Sequence, residues 1–142
     1  MNITLIVPGV PVAQPRQRHR IVATGGKVFT QNYTPKGDPV NVFKAAIQHA
    51  WQQANAAMFE GPVEVRIVAL FPRPKSATRK RGDNPRLKKI TKPDGDNVFK
   101  SVADALNKLA YNDDSQIWKH TIERWIGEPH EQPETRIEIT AS

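Results

Sequence analysis

Residues 63–71 read VEVRIVALF, and this stretch decides the fold class. Val63, Val65, Ile67, Ala69 and Phe71 alternate with Glu64 and Arg66, the period-two pattern of a half-buried strand. Gly61-Pro62 breaks the chain just before it. Upstream, Val40, Phe43, Ile47, Ala50, Trp51 and Ala54 form one apolar stripe at helical spacing. Asp38-Pro39 supplies a cap and a first-turn proline, so a helix is expected from there to about Ala57. A second helix is expected from Asp96 to about Ala110. Val98, Val102, Ala105, Leu106 and Leu109 lie on one side, and Asp96, Lys100 and Asp104 share the polar one.

The outer parts of the chain fit the same scheme. Ile3, Leu5 and Val7 alternate in a first strand that Pro8-Gly9 ends. Pro11 to Arg20 reads as an exposed, basic, proline-rich loop. Ile21-Val22 and Val28-Phe29 flank Gly25-Gly26, a hairpin signal. Tyr111 to Ser115 reads as a turn and Gly127 to Pro133 as a loop. A poorly alternating strand is expected within Gln116 to Ile126, and a last one from Thr135 to Thr140. Strands interleaved with two helices predict one α/β (α+β) domain over residues 1–142, a small mixed sheet with two main helices packed on it.

Composition excludes several function classes. The 142 residues include no cysteine, so disulfides, a cysteine nucleophile, iron–sulfur clusters and cysteine-based zinc fingers are out. That fits a reducing cytosol, and a cytoplasmic protein is expected. No apolar run approaches the roughly 20 residues of a membrane span. No basic leader precedes the first apolar stretch, so neither a membrane partner nor a secretory signal is expected.

The net charge of +7 is a local device. Arg73 to Lys92 holds nine basic residues and one acid, Asp83, whereas the rest of the chain is close to neutral. With Pro72, Pro74, Gly82 and Pro85 and no apolar periodicity, the segment reads as a long, flexible, solvated loop. A polyanionic partner follows. Arg79, Lys80, Arg81, Lys88, Lys89 and Lys92 are the candidate DNA contacts, with Arg16, Arg18 and Arg20 as a second group.

The common catalytic signatures are absent: no GxSxG, P-loop, GxGxxG or HExxH occurs, and the four histidines lack metal-ligand spacing. Acidic residues stand out instead. Asp94 and Asp96 flank Gly95 where the basic loop meets the second helix, and Asp113 and Asp114 sit in the turn after that helix. If Asp94 and Asp96 lie in extended backbone they point the same way and can address one ion. Carboxylates are hard ligands suited to Mg²⁺, with Mn²⁺ as a substitute, and such ions screen a phosphodiester and activate water. Lys100, one turn after Asp96, can add charge to a transition state. The helix between the pairs spans roughly 20 Å, so the second pair reaches the first only through the turn and the strand beyond it. Taken singly, each pair has a plain structural role open to it as cap or turn, and Lys100 as a surface ion pair.

Lys92-Pro93-Asp94-Gly95-Asp96-Asn97, then Lys100, Asp104, Leu106-Asn107 and Tyr111-Asn112-Asp113-Asp114-Ser115-Gln116 resemble the RusA family of Holliday junction resolvases. In that family a bulkier residue often stands where this chain has Gly95. The resemblance implies a RusA-like fold and a dimeric, Mg²⁺-dependent endonuclease that nicks four-way DNA junctions symmetrically. It implies Asp94, Asp96 and Asp114 as catalytic carboxylates and metal ligands, Asp113 as a further ligand, Lys100 as the required lysine, and Asn97 and Asp104 as matching motif positions without an assigned role. Two other classes stay open on the residues themselves: a structure-selective DNA-binding protein without activity, and a metal-dependent phosphatase or nucleotide hydrolase. A general structure-selective nickase is the nearest rival within nucleases. For the dimer interface, Trp118, Ile122 and Trp125 are the candidates, with burial in the monomer core as their plain reading.

Overall fold

A computed structural model describes every residue except 16, 17 and 34, and for Arg18, His19 and Asn32 the backbone only. Its centre is β4 (Val63–Phe71), which pairs on one side with β7 (Glu134–Ala141) and on the other with β6 (Ile117–Ile126). β1 (Asn2–Pro8) flanks β7, and the two-residue β5 (Leu87–Lys88) flanks β6, giving the order β1-β7-β4-β6-β5. β4 and β6 run parallel and the other neighbours antiparallel, so the sheet is mixed. The parallel pair needs a crossover, and α2 (Gly95–Leu106) lies in it.

The alternation in β4 is realised as read. Val63, Val65 and Ile67 meet Leu5, Val7, Ile137 and Ile139 in one core with Phe43, Ile47 and Trp51 of α1 (Pro39–Ala54) and Val102, Ala105 and Leu106 of α2. The opposite face is wet and charged: Arg66 pairs with Glu123 at 3.1 Å and Glu138 at 3.6 Å, and Lys119 with Glu64 at 3.3 Å. β6 alternates poorly because its register against β4 shifts after Ile117, leaving Trp118 without a partner in β4. The three dimer candidates therefore share no face: Ile122 packs toward the core, Trp125 is half-buried, and Trp118 is 62% exposed.

Both helices are shorter than their apolar periodicity suggests. α1 stops at Ala54 because Asn55 takes a left-handed conformation (φ 50°), which an asparagine side chain tolerates. α2 stops at Leu106, and Lys108 turns left-handed (φ 68°). Tyr111 then folds under the helix, fully buried, and donates its hydroxyl to the Ala103 carbonyl at 2.7 Å. Burial pushes that phenol well above its ordinary range. Tyr111→Phe leaves the carbonyl without this donor, and urea unfolding should show a loss of about 1–3 kcal/mol.

The hairpin is longer than its glycine signal alone implied. β2 (Arg18–Thr24) pairs with β3 (Lys27–Tyr33) in a separate two-stranded sheet. Arg18 and Arg20 therefore stand in a strand rather than in the expected loop, and Arg16 lies outside the described residues. Gly25 (φ 58°) and Gly26 (φ 77°) both take the left-handed conformation of a two-residue hairpin turn. The basic segment also departs from a featureless loop. It holds a turn of 3₁₀ helix at Lys75–Ala77 as well as β5. Arg73 organises it, donating to the carbonyls of Ala77 (2.9 Å), Pro85 (2.7 Å) and Gly127 (3.2 Å).

Candidate active site

Asp94 is the N-cap of α2, and its Oδ1 accepts from the Asn97 amide at 3.2 Å. Asp96 occupies the first turn. The two carboxylates thus belong to a helix start, where unpaired amides and the helix dipole favour negative charge, and not to an extended Asp-x-Asp segment. Gly95 packs closely on β6: a Cβ there would stand 3.1 Å from Cγ2 of Ile122, a tight contact that the Ile122 side chain would have to yield to by a few tenths of an ångström, and 3.7 Å from Nε of Arg124.

Four further hydrogen bonds hold that start in place. Arg124 donates to the carbonyls of Thr91 (2.8 Å) and Pro93 (2.9 Å). On the other side the Gln14 amide donates to the Asn97 carbonyl at 2.8 Å, and Ser101 Oγ donates to the Val12 carbonyl at 2.6 Å. The resulting cavity at Asp94 is lined by Ala13, Lys92, Pro93 and Asn97.

A second cavity, of about 260 Å³, lies farther along α2 between Gln14, Phe99, Lys100, Ala103, Asp104 and Asp114. Lys100 and Asp114 are both exposed there, and neither forms an ion pair among the described residues. Asp104 has a partner, the Lys44 ammonium of α1 at 2.5 Å. Asp113 and Asp114, told apart in the sequence only by the family resemblance, separate here. Asp113 is occupied within its own turn, where Ser115 donates to its Oδ2 at 2.5 Å, and this bond holds its carboxyl below the usual range. Gln116 fixes the turn: its Oε1 accepts from the amides of Asn112 (2.9 Å) and Asp113 (3.2 Å), and its Nε2 donates to the Gly61 carbonyl (2.9 Å).

The expected ligand set does not assemble. Among the described residues no three histidine or carboxylate side chains gather closely enough to hold a metal ion. Asp96 and Asp104 are two turns apart on α2, about 12 Å along the axis, and Asp114 lines the Asp104 end. β6 does run back along α2, but it brings Arg124, not an acid, to the Asp94 end. Among the described residues Asp94 thus stands with Lys92 and Asn97 at one cavity, and Asp114 with Lys100 and Asp104 at the other.

Most of the anticipated DNA contacts are open to solvent. Arg79, Lys80, Arg81, Lys88 and Lys92 are exposed. Lys89 is half-buried, with Nζ 4.7 Å from the centre of the Phe71 ring and donating to Thr91 Oγ1 at 3.0 Å. Arg86 is committed to Glu131, whose carboxyl its hydrogen bonds hold down to about 2. A depressed carboxyl contributes stability above its unfolded value near 4.5 and loses it as pH falls through about 2. An NMR titration of the Glu131 carboxyl should therefore show its midpoint near 2, and Arg86→Ala should return it toward 4.5.

Sequence reading missed Gln14 and Arg124 among the residues that build the site, and held Gln116 only as a member of the turn motif. Arg124 had a signal: with His120, Ile122 and Ile126 it follows the inward parity of β6, where a charge needs a partner. Gln14 had none, because its position depends on the N-terminal segment crossing α2.

No helix among the described residues is long and apolar enough to cross a membrane. The chain is similar to a Bacillus subtilis (strain 168) protein, the uncharacterized protein YqaN, with 33% identity over 142 residues covering 96% of this chain and 93% of that one. The family described as endodeoxyribonuclease RusA matches residues 8–140, from the last residue of β1 into the last strand, with both helices between them. The helix start at Asp94, the lysine at position 100 and the Asp113–Gln116 turn are thus features of a chain that belongs to the RusA endodeoxyribonuclease family.

Proposed function

We propose that this protein is a Holliday junction resolvase, a homodimer that cuts four-way DNA by paired nicks with Mg²⁺, or Mn²⁺ in its place. The observation that carries this reading is the cavity in which Lys100 and Asp114, both unpaired among the described residues, face solvent together along the helix that directly follows the strongly basic segment. Hydrolysis of a phosphodiester adds water across one P–O bond, leaving a phosphate on one side and a hydroxyl on the other. The Lys100 ammonium supplies positive charge to the phosphate oxygens as the transition state forms. Arg79, Lys80, Arg81, Lys88 and Lys92 hold the strand through phosphates without reading bases. The divalent ion rests on the family resemblance and on the oxygen-rich side chains at both ends of α2; it would supply charge screening and an activated water.

A junction has two-fold symmetry, and one chain carries one such cavity, so a C2 dimer is the natural match. The deciding experiment is incubation of a cruciform plasmid with the protein, with Mg²⁺ or with chelator. Linear product that needs Mg²⁺, from a particle of about twice the 15.9 kDa chain mass by light scattering, is expected. A monomer yielding only nicked circles would leave a structure-selective nickase as the better account. Binding without any cutting would leave a DNA-binding module.

A further inference from the structure

The β2–β3 ribbon is outside the site just described, and its composition is unusual. Its strands pair only with each other. A lone two-stranded ribbon is marginal in water, yet this one turns apolar side chains outward on both faces. The pairing puts Val22 opposite Phe29 on one face, and Ala23 opposite Val28, with Ile21 diagonal to it, on the other. Ile21, Val28 and Phe29 are 78%, 70% and 50% exposed.

Charge indicates what covers them. Residues 1–37 contain five basic residues and no acidic one, and Arg20 and Lys27 stand on the ribbon itself. Two such ribbons repel each other, whereas a polyanion is attracted. The chain shortly before the ribbon, at Ala13 and Gln14, lies at the site. Ala13 and Gln14 line the cavities that hold Asp94, Lys100 and Asp114, and Gln14 is hydrogen-bonded to α2 only four residues before β2 begins. DNA at the site therefore passes the base of the ribbon, whose strands are about 23 Å long.

We propose that the ribbon is a DNA arm that seats at the branch point of a four-way junction. Arg20 and Lys27 lie along the backbone, and Ile21, Val28 and Phe29 rest against base pairs that the branch leaves open. The proposal rests on the resolvase reading above. A two-stranded ribbon fits the DNA major groove, and apolar side chains serve as wedges at broken base steps. Continuous duplex offers no open base face, so the apolar residues act only where stacking is interrupted.

The test uses the full chain without divalent metal, a four-way junction carrying 2-aminopurine at the branch, and a linear duplex of the same sequence. The variant Ile21→Ser/Val28→Ser/Phe29→Ser is expected to lose about tenfold or more in junction affinity while duplex affinity stays within about twofold. The fluorescence change that wild type produces at the branch should vanish, and the particle mass should not change. The single variant Phe29→Ala should move the same readouts in the same direction, which guards against misfolding of the triple variant. Junction preference retained by both variants overturns the proposal. A fall in mass also overturns it and assigns the ribbon to contact between copies. No junction preference in wild type overturns the resolvase reading itself, and the ribbon's role with it.

Discussion

Lys100→Ala should cut junctions about 10²–10³-fold more slowly than wild type, as expected when one preorganised charge is removed from a transition state. Asp94→Asn, Asp96→Asn and Asp114→Asn should each abolish nicking. All three carboxylates are exposed, so each change removes a negative charge from the DNA-facing side, and junction binding should hold or tighten. Single-turnover cleavage of a labelled junction measures all of this. Near wild-type cleavage by any of the aspartate variants removes that residue from the site.

The contrast between Asp113 and Asp114 shows where the sequence stops informing. Adjacent aspartates in a turn look alike on paper. Only the fold shows that Ser115 and Gln116 tie the first into the turn while the second lines the cavity. The strand 63–71 lay at the other extreme, because its alternation is imposed by a sheet with one buried and one charged face, and periodicity reports that directly. The ends of α1 and α2 fell between. Apolar residues continue past Ala54 and Leu106, but Asn55 and Lys108 adopt left-handed backbone and stop the helices first. The hairpin turn was legible from two glycines, whereas the length of its strands was not, since basic and polar residues pair as well as apolar ones in a ribbon with no covered face. The separation of Asp94 from Asp114 followed from helix arithmetic, but which residue of β6 returns to the helix start required the register.

The basic segment should declare itself in the salt dependence of binding. Each phosphate contact contributes roughly 0.9 to the slope of log K against log salt. Arg79, Lys80 and Arg81 are exposed, and none forms an ion pair among the described residues. Replacing all three with alanine should lower the slope by roughly 2.7. Arg86 supplies the internal control. It belongs to the same run of charge, but Glu131 already neutralises it, so Arg86→Ala should leave the slope nearly unchanged while loosening the loop's anchor to residues 127–133. A sequence-level count of cations makes these two experiments equivalent; the ion pair makes them different. An unchanged slope in the triple variant would mean that the segment is a bystander and that DNA is held elsewhere. A slope falling equally for Arg86→Ala would mean that the Arg86–Glu131 pair opens on DNA.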